Sequence, residues 1–305
     1  MLAELIKASR NFLVYSGAGI STASGIADYA SKRGTVAGPA SPYLAQASLG
    51  HSVLTELYNR GYLKEWVQQN HDGLPQKAGL PQKAINEIHG AWYDPTNPVV
   101  KFSGDLRSDL YSRLLEWEEK ADLTLAVGTS MSGMNADRVF TTVCEKASRD
   151  EPGILGGIII NKQKTKNDSM SSLRIFADIN AVMTMLCSEL EIPVPVPTTY
   201  TASACCRSDV YILPLYDKTG ARSDSTDNNT TRLDLSVNRR VRLNQGGKSN
   251  VDVVSGKQRE GHYKIRISVK MKSGKVKEVE RVLGLWHLEA ALAGDLDRLP
   301  VVNIK

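Results

Sequence analysis

The chain has 305 residues, of which 41% are hydrophobic and 23% charged, a balance that suits one large or two ordinary globular domains. No apolar run reaches the roughly 18 residues that cross a bilayer, so a membrane partner is not expected; at 6% aromatic, the core should be mostly aliphatic. The net charge of +5 is uneven: residues 1–204 hold 19 Lys and Arg against 21 Asp and Glu, and residues 205–305 hold 19 against 12. The basic character therefore sits in the last third, where it favours an acidic protein surface or a polyanion as partner.

In chain order, residues 1–7 form a short amphipathic stretch that runs into a strand over 11–16. That leaves no room for a cleavable leader and gives a cytoplasmic reading, with the nucleus as the alternative by diffusion or through a partner. A glycine-rich turn follows the strand. Residues 52–62 read as a helix with Val53, Leu54 and Leu57 on one face, and 65–70 as a strand. A helix is expected over 109–120, with Leu110, Leu114 and Trp117 in phase. Strands are expected over 123–127 and 157–160, and a helix over 179–190. Apolar strands alternating with helices predict an α/β fold, a Rossmann-like parallel sheet covered on both faces.

Pro193, Pro195 and Pro197 exclude helix and favour extended backbone, so a proline-rich linker is placed over 192–207, between domains at 1–191 and 208–305. The second domain reads as β-rich, with strands over 210–213, 231–243, 263–271 and 276–285 and a terminal helix over 286–299. Residues 272–275 should turn a hairpin, and the polar stretch 217–230 reads as a flexible loop. Lys264, Arg266, Lys270 and Lys272 fall at alternate positions, which would make one strand face basic; Arg239, Arg240 and Arg242 add to it. Aromatic residues for base stacking are sparse there, so sequence-specific RNA reading is not expected. The four cysteines, Cys144, Cys187, Cys205 and Cys206, show no C-x-x-C spacing and read as thiols of a reducing compartment.

The first strand ends in Gly17-Ala18-Gly19-Ile20-Ser21, where glycines let backbone approach a pyrophosphate at a helix start. Thr22 stands where a dehydrogenase fingerprint has its last glycine, and no acidic residue ends a second strand at the usual spacing. Further along come Gly25-Ile26-Ala27-Asp28-Tyr29, Gln69-Asn70-His71-Asp72-Gly73-Leu74, Ile88-His89-Gly90, Gly128-Thr129-Ser130 and Ile160-Asn161. This ordered series resembles the sirtuins, whose matching motifs are GAGIS, GIPDF, QNIDGL, HG, GTS and a strand ending in asparagine. The resemblance covers roughly residues 11–190.

The resemblance implies NAD as cofactor and an NAD-dependent protein lysine deacylase that releases nicotinamide and passes the ribose to the acyl oxygen of an acylated protein. It implies that His89 is a general base on a ribose hydroxyl, a role suited to a near-neutral pKa. It implies further that Asn70 positions the ribose and a water, and that Asp72 holds the nicotinamide carboxamide. Gly17, Ala18, Gly19, Ser21, Asp28, Tyr29, Gln69, Gly128, Thr129, Ser130 and Asn161 would line the cofactor site. Four departures stand beside it. The family's zinc module follows its HG motif, but residues 91–98 hold no cysteine, so no zinc and no metal ligands are expected. The segment between Tyr29 and Gln69 is short, which trims the wall that grips a peptide. Ala27 and Ala30 replace the family's proline and arginine. His71 replaces isoleucine beside the nicotinamide position, as a polar group in need of a partner. These departures keep two other functions in view: an inactive scaffold subunit of a larger assembly, and an NAD hydrolase or ADP-ribosyltransferase.

Overall fold

Short strands that are apolar at every position need cover on both faces, and the first part of the chain supplies it with helices. The computed structural model describes residues 1–28, 41–101, 104–223, 230–244, 251–270 and 274–304. They divide into two compact units. One comprises Met1–Leu80, Ala84–Gly90 and Val100–Thr199; the other comprises Pro81–Lys83, Ala91–Val99 and Tyr200–Lys305.

The first unit runs α1 (Leu2–Ala8), β1 (Phe12–Ser16), α2 (Leu49–Asn59), β2 (Leu63–Gln68), α3 (Leu74–Lys77), β3 (Ile85–Asn86), α4 (Ser108–Lys120), β4 (Leu123–Val127), α5 (Arg138–Ser148), β5 (Gly156–Ile160), β6 (Leu173–Ile175) and α6 (Ile179–Glu189). Its six strands are all parallel, in the order β3-β2-β1-β4-β5-β6. The order reverses between β1 and β4, the point at which open α/β sheets leave a crevice at their carboxyl ends.

Alternate residues of each strand serve different layers. Phe12, Val14, Trp66, Leu125, Ile158 and Ile160 pack with α2 and α6 residues such as Val53, Leu57, Met183 and Leu186. Leu13, Tyr15, Val67, Ala126 and Ile159 pack with Leu110 and Leu114 of α4 and Val139, Phe140 and Val143 of α5. Gly157 lets Phe140 lie on the sheet, since a Cβ there would meet the ring at 2.5 Å.

The expected helix over 52–62 begins earlier, at Leu49, because Ser48 and His51 form a capping box that starts it. α5 is absent from the sequence reading, yet β4 and β5 are parallel neighbours and need a crossover between them. β3 and β6 also escaped it, being two and three residues long.

The second unit contains β7 (Val210–Pro214), β8 (Thr230–Asp234), β9 (Arg240–Leu243), β10 (Asp252–Lys257), β11 (Tyr263–Lys270), β12 (Val276–Leu283), α7 (Leu285–Leu292) and β13 (Val301–Asn303). β7 and β8 pair as a two-stranded sheet, and the other five form an antiparallel sheet in the order β12-β11-β10-β9-β13. The core is built on Leu213, Leu233, Val241, Val254, Ile265, Leu283 and Leu288. Residues 91–99 belong here too: Tyr93 accepts the Gly284 N–H at 2.8 Å, and its ring lies 4.8 Å from that of His262 and 4.9 Å from that of Trp286.

Three expectations are corrected in this unit. The strand over 231–243 is two strands, because Asn238 at φ +69° and the Asp234 carboxylate on the Ser236 N–H turn the chain between them. The terminal helix ends at Leu292 rather than 299. Gly294 at φ +73° closes it in a Schellman arrangement, with Asp295 N–H on Ala290 O at 2.8 Å and Gly294 N–H on Ala291 O at 3.1 Å. In the stretch expected as a loop over 217–230, Asp217 Oδ1 accepts from Thr219 N at 2.8 Å and Ala221 N at 3.0 Å, and Thr230 already opens β8. Residues 224–229 and 271–273, the latter in the expected hairpin turn, lie outside the described residues.

Candidate active site

Parallel strands bring their carboxyl ends to one edge, so residues distant in sequence meet there. The Ser16 end of β1 leads into a 3-10 turn, Ala18–Ser24; β2 ends before Gln69 and Asn70, β4 before Gly128 and Thr129, and β5 before Asn161. The backbones of β1 and β4 close on one another, with Gly19 N–H on Gly128 O at 2.7 Å. A Cβ at Gly17 would lie 2.7 Å from that of Thr129. One at Gly128, whose φ is +60°, would strike the Ile20 nitrogen. The glycines are thus demanded first by strand-end packing.

Asp72 is the hub of one network. It is 3% exposed, and its carboxylate accepts from Ser21 Oγ at 2.6 Å, from the Leu74 N–H at 3.1 Å and from Gln68 Nε2 at 3.4 Å. Burial raises its pKa, and the Ser21 hydrogen bond is the largest opposing influence. Asn70 Nδ2 donates to Gly17 O and to Ser21 Oγ, both at 3.0 Å. A second network runs from Gln69 Nε2 to Thr129 Oγ1 at 2.8 Å and from Asn161 Nδ2 to Thr129 O at 3.3 Å.

His89 is buried, and a hydrogen bond with the Gln69 backbone ties it to this second group. Desolvation, reinforced by the neighbouring His71, pulls its pKa from 6.5 down to about 4, so the ring is neutral at ordinary pH and able to accept a proton. His71 does find the partner its position requires: its Nδ1 lies 2.8 Å from Gly90 O, and since a carbonyl only accepts, that nitrogen carries the proton.

The structure therefore gathers Gly17, Ser21, Asn70 and Asp72 in one hydrogen-bonded set, and Gln69, His89, Thr129 and Asn161 in another. Ala18 and Gly19 line the turn between β1 and β4, and Asp28 is half-buried beyond it. Ser130 is exposed and bonds Ser132 Oγ at 2.5 Å. Tyr29 and Ala30 lie outside the described residues. Two contributors escaped the sequence reading. Gln68 supports Asp72, and Asp137, which holds Tyr15 Oη at 2.7 Å, bears electrostatically on His89. Gln68 adjoins a recognised motif and was in reach of sequence; Asp137, on the β4–β5 crossover, was not.

The donor set suits a dinucleotide. Close-packed glycine backbone, amides at two strand ends and a desolvated carboxyl stand together, and Gln68 Oε1 beside that carboxyl is a buried acceptor without a partner among the described residues. Among the described residues no group of three His, Cys, Asp or Glu could hold a metal ion, and no helix is long and apolar enough to cross a membrane.

The basic strand face takes a different form in the structure. Lys264 and Arg266 are met across the ladder by Glu280 at 2.9 Å and Glu278 at 3.9 Å, so opposite charges cancel there. The Lys270 side chain and Lys272 lie outside the described residues.

No family model matches the chain. The rat protein named NAD-dependent protein deacetylase sirtuin-7 is 28% identical over 245 residues, covering 64% of this chain and 60% of the rat protein. NAD-dependent protein deacetylase SRT1 of Arabidopsis thaliana is 27% identical over 242 residues, 64% of this chain and 49% of that protein. This chain thus spans less than two thirds of the length of both. An NAD-dependent protein deacetylase of Saccharolobus solfataricus is 27% identical over 228 residues, 56% of this chain and 88% of its own length. A solved Sir2 structure with a p53 peptide and NAD+ aligns with a TM-score of 0.52 and 21% identity, over 62% of this chain and 96% of that one. Sir2 bound to an acetylated peptide aligns equally well, at 0.52 and 21%, and shows the same fold. With the sheet order and the strand-end residues described above, these similarities support a sirtuin-family core in the N-terminal part of this chain.

Proposed function

We propose that the first unit binds NAD at the carboxyl ends of β1, β2, β4 and β5 and acts as an NAD-dependent protein lysine deacylase that needs no zinc. The observation that carries this reading is the pairing of a buried carboxyl, Asp72, with a buried neutral imidazole, His89, at adjoining strand ends. Bound there, NAD supplies a nicotinamide leaving group and an electrophilic ribose carbon. Gly17, Ala18 and Gly19 offer backbone to the pyrophosphate, Gln69, Thr129 and Asn161 offer polar groups to the ribose side, and Asp72 accepts from a carboxamide. A base must be unprotonated to work, and His89, its pKa lowered to about 4 by burial, meets that condition across the physiological range, although this value lies below the near-neutral one that suits a general base best. Asn70, fixed by Gly17 O and Ser21 Oγ, orients hydroxyls and water.

Nicotinamide release from NAD by the purified protein, with and without an acetyl-lysine peptide, tests this beside His89→Ala. The expected result is peptide-dependent release that falls at least about a hundredfold in the variant, from a preparation without stoichiometric zinc. Release without peptide replaces the reading with hydrolysis or ADP-ribosyl transfer. No release from a folded protein replaces it with a scaffold.

A further inference from the structure

The turn that splits the expected strand over 231–243 leaves a concavity of about 400 Å³ in the second unit, lined by Arg232, Asp234, Asn238, Arg239, Arg240, Asn303 and Ile304. Three guanidinium groups face one carboxylate. Asp234 is buried, and it is already engaged by the Ser236 N–H at 3.0 Å and by Arg239 Nε at 2.8 Å. Arg232 stands farther off, at 3.6 Å, with 61% of its side chain exposed. Arg240 is exposed and makes no ion pair with any described residue. One carboxylate thus balances one arginine, and two positive charges remain. Arg239 spends only its Nε on Asp234, so the terminal nitrogens of its fork stay available to an oxyanion.

The frame beneath is fixed by backbone. Asn303 of β13 clamps the end of β8, accepting the Asp234 N–H at 2.6 Å and donating to Asp234 O at 2.8 Å. Asn238 N–H bonds Val254 O at 2.8 Å, and Val254 N–H bonds Arg239 O at 3.0 Å, which anchors the turn to β10. The arginines therefore project from a rigid rim, and a ligand need not pay to order the chain.

We propose that this cleft binds a phosphomonoester dianion, held between the forks of Arg232, Arg239 and Arg240. A phosphomonoester carries between one and a half and two negative charges near neutrality, about the charge left over here. A nucleic-acid backbone fits less well, because it needs cations repeated along a track. On the strands beside the cleft three cations are matched: Lys264 by Glu280, Arg266 by Glu278, and Lys257 by Asp209 at 2.5 Å. Arg242, two positions along β9, is half-buried and outside the lining. The three forks converge on one cleft rather than a track, and a single phosphate is the ligand such a cleft can hold.

The test uses the full chain and fluorescence anisotropy with a labelled phosphoserine peptide, its unphosphorylated twin and a labelled single-stranded oligonucleotide. The expected result is binding of the phosphopeptide alone, competed by inorganic phosphate and unaffected by excess NAD, which keeps it apart from the strand-end site of the first unit. Arg240→Gln and Arg232→Gln, both exposed and remote from the core, should each weaken it about tenfold with unchanged circular dichroism. Equal binding of the two peptides, competition by NAD, or indifference to both substitutions overturns the proposal. Tighter, arginine-dependent binding of the oligonucleotide overturns it in favour of a nucleic-acid backbone.

Discussion

The two units bury polar side chains to different ends. In the first, Ser21, Asn70, Asp72, Gln69 and Thr129 hydrogen-bond at the carboxyl ends of parallel strands, where few apolar contacts require them. In the second, the buried polar groups tie elements together. Tyr211 Oη and Tyr263 Oη lie 2.9 Å apart, with Asp209 2.9 Å from the latter, and Tyr216 Oη donates to Leu296 O at 2.9 Å. The difference follows from strand direction. A parallel sheet collects every carboxyl end on one edge and so concentrates polar groups that sequence scatters. An antiparallel sheet sends alternate ends to opposite edges and places charges opposite one another across the ladder, where they pair off, as Lys264 and Glu280 do.

The sharpest way to break this comparison is to crowd a glycine in each unit. Gly128→Ala forces a side chain at φ +60° against the backbone of Gly19 and Ile20, which cannot move without parting β1 from β4. It should lower stability by about 3 kcal/mol or more in urea unfolding and abolish NAD binding. Gly220→Ala, at φ +79°, meets side-chain atoms of Asn244 and Val302 rather than backbone. It should cost about half as much and leave NAD binding intact. Equal losses would mean that the strand-end backbone of the first unit is no more constrained than a turn of the second.

A smaller effect comes from buried titratable groups of the first unit. Burial holds His51 at about 3 and His89 at about 4, against 6.5 when unfolded. The unfolded chain therefore takes up protons first on acidification, and the stability these groups confer is complete above pH 6.5 and lost as pH falls towards 4. Glu65 opposes them. Burial lifts it from 4.5 to about 7 despite Arg113 at 2.5 Å, so its contribution is complete below 4.5 and lost as pH rises through 7. Glu65→Gln removes that opposition. Stability measured between pH 4.5 and 6.5 should then fall on acidification more steeply, by up to about 1.4 kcal/mol per pH unit. An unchanged slope would show that Glu65 does not titrate there.

The smallest effect belongs to the exposed ladder of the second unit. Lys264→Ala breaks the pair with Glu280, yet it should shift the unfolding midpoint by no more than about 0.5 kcal/mol, vanishing in high salt. A larger, salt-resistant loss would mean that the face is desolvated by contacts of its own.

Sequence alone determined the parallel α/β class of the first unit and the residues that line its strand ends. An all-apolar strand can only be a covered one, and a motif at a strand end has only one edge to occupy. It also marked the basic last third of the chain. Tertiary structure decided what sequence pattern could not. α5 connects β4 to β5, and the helical spacing of Val139, Phe140, Val143 and Cys144 was the one signal there that sequence offered. A left-handed Asn238 breaks one expected strand into two, and Gly294 stops the last helix early. It also decided which cations matter. Alternation along β11 put Lys264 and Arg266 on one face, but only the register of β12 brings glutamates against them, whereas Arg232, Arg239 and Arg240 share the single carboxylate of Asp234. Local sequence sets which side a residue faces, whereas its electrostatic partner comes from a neighbouring strand whose register is fixed by the packing of the whole sheet.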